Sequence, residues 1–343
     1  MLKSRLCIAF FAFAVGCAPA QKPLTDYVNP MLGTATLWDS VDLGFKPTKR
    51  TWGAEVFPGS SLPNAMVQVS PVTKFHSGAG YQYEDSVIYG FTHTNKGHWN
   101  LCHIPLLPVT GTPTPGDYCS PFSHERESAA PGYYQVFLDR YGVDAQLSST
   151  LRCAFHKYTY PAGAAASLLA DLQRSNEHVR AWDIRKEGDN VFAGWQQTGE
   201  KMYFYAVANR PVTGIEPVVE GDREVRIVRF GEGDGALELR IGFSFVSEKN
   251  ARENLEAEML GKSFAEVRSE ATATWNDLLG RIRVEGGTER EKGLFYSSLY
   301  RSFLWPALRS DVNGEFTDVD GKVINPGFRY YTGPSYWDDY RNK

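Results

Sequence analysis

The chain has 343 residues, a formal net charge of -4 and 42% hydrophobic residues, which is typical of a soluble globular protein with about two domains. No run of basic residues is long enough to form the positive face that nucleic acid requires, so no nucleic-acid partner is predicted. The sequence gives no sign of an obligate protein partner. The 8 Trp, 18 Tyr and 20 Phe residues fit a β-rich fold, and they also fit a protein that packs rings against sugars.

The first predicted element is an export signal over residues 1–20. Basic residues precede an apolar run at 6–15 that is too short to span a membrane. Two processing sites remain open: cleavage after Ala20, or lipidation of Cys17 in a segment resembling a bacterial lipobox, which is favoured. The protein is therefore predicted to be exported, to the bacterial periplasm or the outer-membrane surface, with a lipid anchor if Cys17 is modified.

Three cysteines follow the signal, namely Cys102, Cys119 and Cys153. Three thiols cannot all pair within one molecule, and their spacing fits no zinc site. Buried thiols are the favoured interpretation, and a single disulfide is the alternative.

Residues 22–247 are predicted to form one large β-sandwich of two sheets, so the fold class is mainly β. Short apolar and aromatic runs recur there between Gly and Pro turns, which is the pattern of a sandwich. The candidate strands lie at 133–138, 143–147, 151–160, 167–171, 190–197, 202–208, 225–230 and 237–246.

Near Ser247 the period of the pattern changes from strand to helix. Helices are predicted at 250–260, 263–279 and 289–305, and the second has one apolar stripe formed by Phe264, Val267, Ala271, Trp275 and Leu278. Residues 248–285 are predicted to be a helical linker, and residues 286–343 the start of a second, all-α domain. Asp and Asn residues before glycines at 311–321 predict hairpin turns, because Phe316 stands where a calcium loop of the EF-hand type needs glycine.

The segment most typical of a binding site is 91–103. It holds three histidines and a tryptophan within eleven residues of a polar stretch, and loops carry function more often than cores do. Substrate contact is the favoured role for His93, His98 and Trp99. Structural hydrogen bonding is the first alternative and metal binding the second, because the spacing of the histidines matches no known ligand set.

A second polar and aromatic cluster lies at 335–341. Trp337 offers a ring for the C–H face of a sugar, and the adjacent Asp338 offers a carboxylate for its hydroxyls. The alternative is that the same pair forms a helix cap and a core residue.

Several blocks of the sequence, in the same order, resemble one family, the bacterial α-mannosidases of glycoside hydrolase family 92. These blocks are 27–34, 57–71, 80–83, 88–94, 247–255, 299–301 and 337–341. The resemblance runs from about residue 26 to the end. It implies an N-terminal β-sandwich, a helical linker and a C-terminal (α/α)6 barrel. This sequence is expected to hold only the first helices of that barrel, so the barrel is incomplete here.

The resemblance also implies a calcium-dependent enzyme that releases mannose from α-mannosides and N-glycans with inversion, so a mannose-containing glycan is the implied partner. In such chemistry an acid and a base lie about 6.5–9.5 Å apart. Trp337 and Asp338 match the family's Trp-Asp-x-aromatic-Arg motif as mannose contacts, and His93, His98 and Trp99 are candidates from the sandwich. The acid, the base and most calcium ligands are expected beyond position 343, so no catalytic or metal residue is assigned here and the chain alone is expected to be inactive.

One departure concerns the loop at 95–102, which is shorter than the Asp-containing loop of the family and leaves linkage specificity open. Two other functions stay open: a non-catalytic carbohydrate-binding surface lipoprotein, and an unrelated sandwich enzyme with a complete site. The apolar faces of the helices after Ser263 are expected to be exposed, which would promote association.

Overall fold

A computed structural model describes residues 22–36, 44, 56–96 and 99–332, with the backbone alone for 95, 96, 99 and 100. The predicted signal 1–20 with its Cys17 lies outside the described residues, and so do His98, Trp337 and Asp338 and the side chain of Trp99. Among the helices in the described ranges, none has the length and apolarity needed to cross a membrane.

The described chain is built mainly from strands. In chain order they are β1 (Ser60–Ser61), β2 (Gln68–Val72), β3 (Val87–Ile88), β4 (Gly90–Thr92), β5 (Asn95–Lys96), β6 (Trp99–Asn100), β7 (Leu106–Val109), β8 (Ser120–Pro121), β9 (Glu127–Ala130), β10 (Tyr133–Leu138), β11 (Val143–Ser149), β12 (Cys153–Thr159), β13 (Ser167–Ala170), β14 (Ala181–Lys186), β15 (Val191–Gln197), β16 (Lys201–Ala208), β17 (Val212–Glu220), β18 (Arg223–Phe230), β19 (Leu237–Ser244), β20 (Ala307–Leu308), β21 (Phe316–Thr317), β22 (Val323–Ile324) and β23 (Tyr331–Thr332).

Two large antiparallel sheets form a sandwich, as predicted. The seven-stranded sheet has the order β1-β2-β4-β7-β13-β18-β17, and the eight-stranded sheet has the order β14-β15-β16-β19-β12-β11-β10-β9. Side chains alternate between the faces of each strand, so Met202, Phe204 and Ala206 of β16 point into the core while Tyr203 and Tyr205 point away from it. The inner faces of the two sheets share one apolar core.

All eight predicted strands are confirmed, with small shifts at their ends. The strands β1, β2, β4, β7 and β9 of the two sheets were not among those predicted, and neither were β14 and β17. The last two lie at sheet edges, and most of their side chains are exposed or half-buried, so they lack the apolar alternation that marks a strand.

Three α-helices follow the sandwich: α1 (Glu248–Glu258), α2 (Phe264–Leu279) and α3 (Glu289–Ser302). α1 begins two residues earlier than predicted because the Ser247 hydroxyl accepts from Asn250 N as its N-cap. α2 and α3 both begin with a capping box. α3 ends three residues before the predicted position, because Phe303 N bonds back to Tyr300 O and closes the last turn.

The helices cover two separate surfaces. Leu255 and Met259 at the C-terminal end of α1, with Phe264 and Val267 of α2, pack on Phe155 at the outer face of the eight-stranded sheet. Farther along, Trp275 and Leu279 of α2 pack with Tyr296 and Tyr300 of α3 and with the 3-10 helix Leu24–Tyr27. The predicted stripe of α2 is therefore buried, with Leu279 in the place expected for Leu278, and the expectation that it is exposed is wrong.

A buried polar network joins the sandwich, α1 and the segment at 310–315. Arg152 at the start of β12 donates to Glu258 of α1 at 2.6 Å and to the carbonyl of Ser310 at 2.7 Å. The carboxylate of Asp311 accepts from Ser244 at 2.6 Å and from Asn254 at 2.7 Å. These bonds fix the first helix and the segment after the third against the same sheet.

The predicted turns at 311–321 are confirmed, since Gly314 N bonds to Asp311 O and Gly321 N to Asp318 O, the latter turn joining β21 to β22. The buried-thiol interpretation is confirmed for Cys102 and Cys153, while Cys119 is half-buried; in the part of the chain that the structure describes, no disulfide forms among the three.

Candidate functional site

The segment singled out in the sequence forms a small hairpin at one end of the sandwich. β4 leads into β5, which pairs with β6 so that Asn95 lies opposite Asn100. Leu101 N bonds to Thr94 O at 3.2 Å and closes the base of this element, called the 95–100 hairpin below. His98 and the side chain of Trp99 lie outside the described residues.

The return strand, which here means β6 and its continuation through Ile104, has an unusual backbone conformation just after the 95–100 hairpin. Cys102 has φ of 57° and Ile104 has φ of 53°, both in the left-handed region. A β-branched residue rarely adopts this conformation, and such strain persists only where the surroundings enforce it. Both residues are fully buried, and Ile104 N donates to the side chain of Gln196 at 2.8 Å. Strained buried backbone beside a polar loop is a feature of functional sites.

His103 lies between these two residues and takes part in a chain of hydrogen bonds. Its Nδ1 faces Thr94 Oγ1 at 2.8 Å, and its Nε2 faces Thr198 Oγ1 at 2.9 Å. Thr198 Oγ1 in turn donates to Glu177 Oε2 at 2.6 Å. The facing His103 ring, together with the Thr198 hydroxyl, lowers the pKa of Glu177 to about 2. The relay therefore runs from the buried base of the hairpin to a carboxylate at the surface.

His93 faces the opposite way, into the sandwich core. Its ring is fully buried and its Nε2 lies 3.0 Å from Nε2 of His156, whose Nδ1 faces the Tyr158 hydroxyl at 2.5 Å. Burial lowers the pKa of His93 to about 3 and holds the pKa of His156 well below its usual range. These are the contacts of a core residue, and direct sugar contact by His93 stays a prediction.

The C-terminal segment reaches the same end of the sandwich. Gln68 connects the two parts, because its backbone N–H bonds to His93 O at 3.0 Å and its side-chain amide donates to Leu304 O at 3.2 Å. β20 pairs with β23 so that Ala307 lies opposite Thr332. The described chain stops at Thr332, five residues before Trp337.

Arg309 adds a cation to this junction. Its guanidinium lies 3.7 Å from the ring centroid of Phe245 and donates to Glu200 at 2.8 Å. Burial lowers the pKa of Arg309, although the carboxylates of Glu200 and Glu177 oppose that effect. The end of the sandwich thus combines a strained hairpin, two carboxylates and a buried guanidinium.

The sequence indicated some of these residues and missed others. Thr94 and His103 lie inside the segment 91–103, whereas Glu177, Thr198 and Arg309 are distant in the chain and carry no local motif. Only the fold brings them together.

The family resemblance implies a calcium site. Across the described ranges, no group of three or more His, Cys, Asp or Glu side chains is arranged to hold a metal ion. These residues do not provide a fit for calcium, and no step below is assigned to it.

The fold and this site define a class of protein in which a large β-sandwich meets an α-helical part, and ligand sites favour such junctions. Two family models match the chain: the glycosyl hydrolase family 92 N-terminal domain over residues 27–254 and the glycosyl hydrolase family 92 catalytic domain over residues 250–343. The chain belongs to glycosyl hydrolase family 92.

Individual relatives agree with this membership. A family GH92 α-mannosidase from Bacteroides thetaiotaomicron matches with a TM-score of 0.83 and 27% identity, over 93% of this chain and 46% of that chain. The same enzyme has also been solved with mannoimidazole. A family GH92 inverting mannosidase from Bacteroides thetaiotaomicron VPI-5482, at 24% identity and a TM-score of 0.76, covers 93% of this chain and 45% of its own length and supports the fold alone.

One curated relative is an uncharacterized secreted glycosidase of Arthroderma benhamiae, 24% identical over 84% of this chain and 42% of its own length. The chain therefore spans less than half the length of the relatives it matches.

Proposed function

We propose that this chain is the sandwich and first helical part of an exported α-mannosidase, and that the end of the sandwich around the 95–100 hairpin contacts the terminal mannose of an α-mannoside. One observation carries the proposal: the base of that hairpin and the Thr332 end of the described chain lie at one junction, bridged by Gln68. Five residues span at most about 18 Å and six at most about 22 Å, which are upper bounds on the distances of Trp337 and Asp338 from Thr332.

The chemistry of these side chains suits a sugar. The rings of Trp99 and Trp337 present apolar faces to the C–H groups of a pyranose, while Asp338 accepts from its hydroxyls and His98 offers a further polar contact. His93, buried beneath, supports the strand from which the hairpin rises. Family membership and the mannosidase relative with mannoimidazole bound support mannose as the sugar.

Three finer points belong to the same proposal. Release of mannose occurs with inversion, as the family resemblance implies, and its dependence on calcium stays a prediction of that resemblance. The general acid and base are absent from this chain, which alone does not turn over substrate; its relatives are more than twice as long as the part it matches. Export fits the relative described as secreted, and a lipid anchor at Cys17 remains part of the proposal.

The test is calorimetric titration of the 343-residue chain with methyl α-mannoside, alongside the α-glucoside. Trp99→Ala or Trp337→Ala is expected to weaken mannoside binding about tenfold, which corresponds to about 1.4 kcal/mol. Phe295→Ala is the control, because this ring is 37% exposed on α3, away from the junction. Equal binding by all four proteins would contradict the proposal, and hydrolysis of an aryl α-mannoside by the chain alone would contradict its inactivity.

A further inference from the structure

We propose that His103, Thr198 and Glu177 are positioning residues that fix the base of the 95–100 hairpin, where β5 begins and β6 ends, ready for the sugar. This inference rests on the proposed function for its purpose, but the relay can be tested without any sugar. None of the three residues is assigned contact with substrate.

The hydrogen bonds of the relay have one direction. Glu177 is a carboxylate and accepts only, so the Thr198 hydroxyl proton is committed to it at 2.6 Å. The Thr198 oxygen is then the acceptor for His103 Nε2–H at 2.9 Å. In the neutral ring this leaves Nδ1 as the acceptor for the Thr94 hydroxyl at 2.8 Å. The surface carboxylate therefore selects the tautomer of a ring that is 1% exposed.

The relay acts on both ends of the hairpin. Thr94 is the residue before β5, and His103 follows β6 by three positions. A backbone bond from His93 N to His103 O, at 3.2 Å, ties the same two segments. Fixing the two side chains to each other and to Thr198 therefore fixes the direction in which the hairpin leaves the sandwich.

A second clamp holds the return strand. Leu101 O accepts from Ser175 Oγ at 2.7 Å and from Asn176 N at 2.9 Å. Ser175 and Asn176 lie directly before Glu177, so the relay and the clamp share one loop. The contacts of this loop and of Thr198 therefore hold Leu101 and His103, the residues adjacent to the left-handed Cys102 and Ile104.

Glu177 also anchors the far side of the relay. Its Oε2 lies 3.8 Å from His103 Nε2, and Gly199 N donates to the same oxygen at 3.4 Å. One carboxylate oxygen thus faces the ring, the hydroxyl and the backbone of the turn after β15. Loss of the hydroxyl between them would leave a buried N–H facing only a distant carboxylate, and the strained backbone would relax.

The experiment compares Thr198→Val with Thr198→Ser in the 343-residue chain. Valine matches threonine in shape but removes the hydroxyl, whereas serine keeps it. Amide hydrogen exchange of peptides covering 95–100 is expected to be at least tenfold faster in Thr198→Val and near the original rate in Thr198→Ser. Peptides from β19 serve as the internal reference and should be unchanged.

A spectroscopic signature separates positioning from general destabilisation. Nitrogen NMR of His103 is expected to show the Nε2–H tautomer in the original chain and in Thr198→Ser, and a mixture of tautomers in Thr198→Val. If Thr198→Val does not fold, Glu177→Ala tests the exposed end of the relay with the same two readouts, and Glu177→Gln, which keeps an acceptor, is its control.

The outcomes also separate this inference from the proposed function. Unchanged exchange at 95–100 in Thr198→Val, or equal acceleration in Thr198→Ser, would overturn the relay. If the exchange responds as expected but methyl α-mannoside binds to no variant and not to the original chain, the relay stands and the sugar-binding function fails.

Discussion

The paired histidines in the core link stability to pH. His93 and His156 lie in contact inside the sandwich, and burial lowers the pKa of both; for His93 the value is about 3 against an ordinary 6.5. As the pH falls below 6.5, the two histidines bind protons in the unfolded chain but stay neutral in the folded chain. The free energy of unfolding therefore decreases from about pH 6.5 down toward the folded pKa.

We expect each histidine to contribute a slope of up to about 1.4 kcal/mol per pH unit in that range. Urea denaturation at pH 7 and pH 5 measures it. Between the two pH values, His93→Phe is expected to lose less unfolding free energy than the original chain. His178→Gln, at an exposed position, is expected to lose as much as the original chain. A slope that His93→Phe does not alter would contradict the assignment.

At this scale the sequence indicated part of the candidate site. Clustering drew attention to His93 and His103 together, but one points into the core and the other toward the loop at 175–177. Side chains alternate between the two faces of a strand, so the directions of His93 and His103 can be predicted only when the strand bounds are known. The left-handed residues 102 and 104 also interrupt this alternation. The partners Thr198 and Glu177 follow from sheet order, which no local pattern contains.

At the scale of elements, α1 lies so close to β19 that a strand residue must be glycine. A Cβ on Gly242 would lie 2.1 Å from Ala251 O and 2.8 Å from Leu255 Cβ, both on the helix. The helix would have to move away from the sheet to accept it.

Gly242→Ala is therefore expected to lower the free energy of unfolding by about 1–3 kcal/mol, the usual cost of overpacking. Gly214→Ala is the matched control in another strand, because nothing lies within 4 Å of its added Cβ. Chemical denaturation monitored by circular dichroism compares them. Equal stabilities would show that α1 is not seated on β19 in this way.

The elements themselves were largely predictable. The helices were predicted from apolar periodicity, and the capping boxes at Ser263 and Thr288 agree with the predicted starts of α2 and α3. The short inner strands β2, β4 and β7 were not predicted, and neither were the edge strands β14 and β17, since an exposed edge needs no apolar alternation. What the patterns could not give is which strand lies next to which, because most neighbours in the seven-stranded sheet are not consecutive in the chain.

At the scale of the whole molecule, the described residues include an exposed apolar surface on α3 and the segment before it. Ile282 and Val284 are 48% and 37% exposed, and Leu294 and Phe295 are 44% and 37% exposed. The two pairs lie on neighbouring segments, because the Tyr296 hydroxyl, adjacent in the chain to Phe295, bonds to Ile282 O and Val284 N. Association of the chain is therefore expected here rather than through α2.

Replacing Leu294 and Phe295 together by Lys is expected to shift the chain toward the monomer in sedimentation velocity at high protein concentration. Val319→Lys is the control, since this side chain is 95% exposed but stands on a separate hairpin. A monodisperse monomer for the original chain would contradict the expectation.

The buried network around Arg152 has a consequence for dissecting the protein. Excision of the sandwich after residue 247 would remove Glu258 together with Ser310 and Asp311, so the Arg152 guanidinium would lose its ion-pair partner and its carbonyl acceptors. The same cut would uncover the ring of Phe155 to water. We therefore expect that the smallest piece of this chain able to fold by itself is the sheet pair together with the three helices and the segment at 310–315, a unit that crosses the boundary between the two family domains.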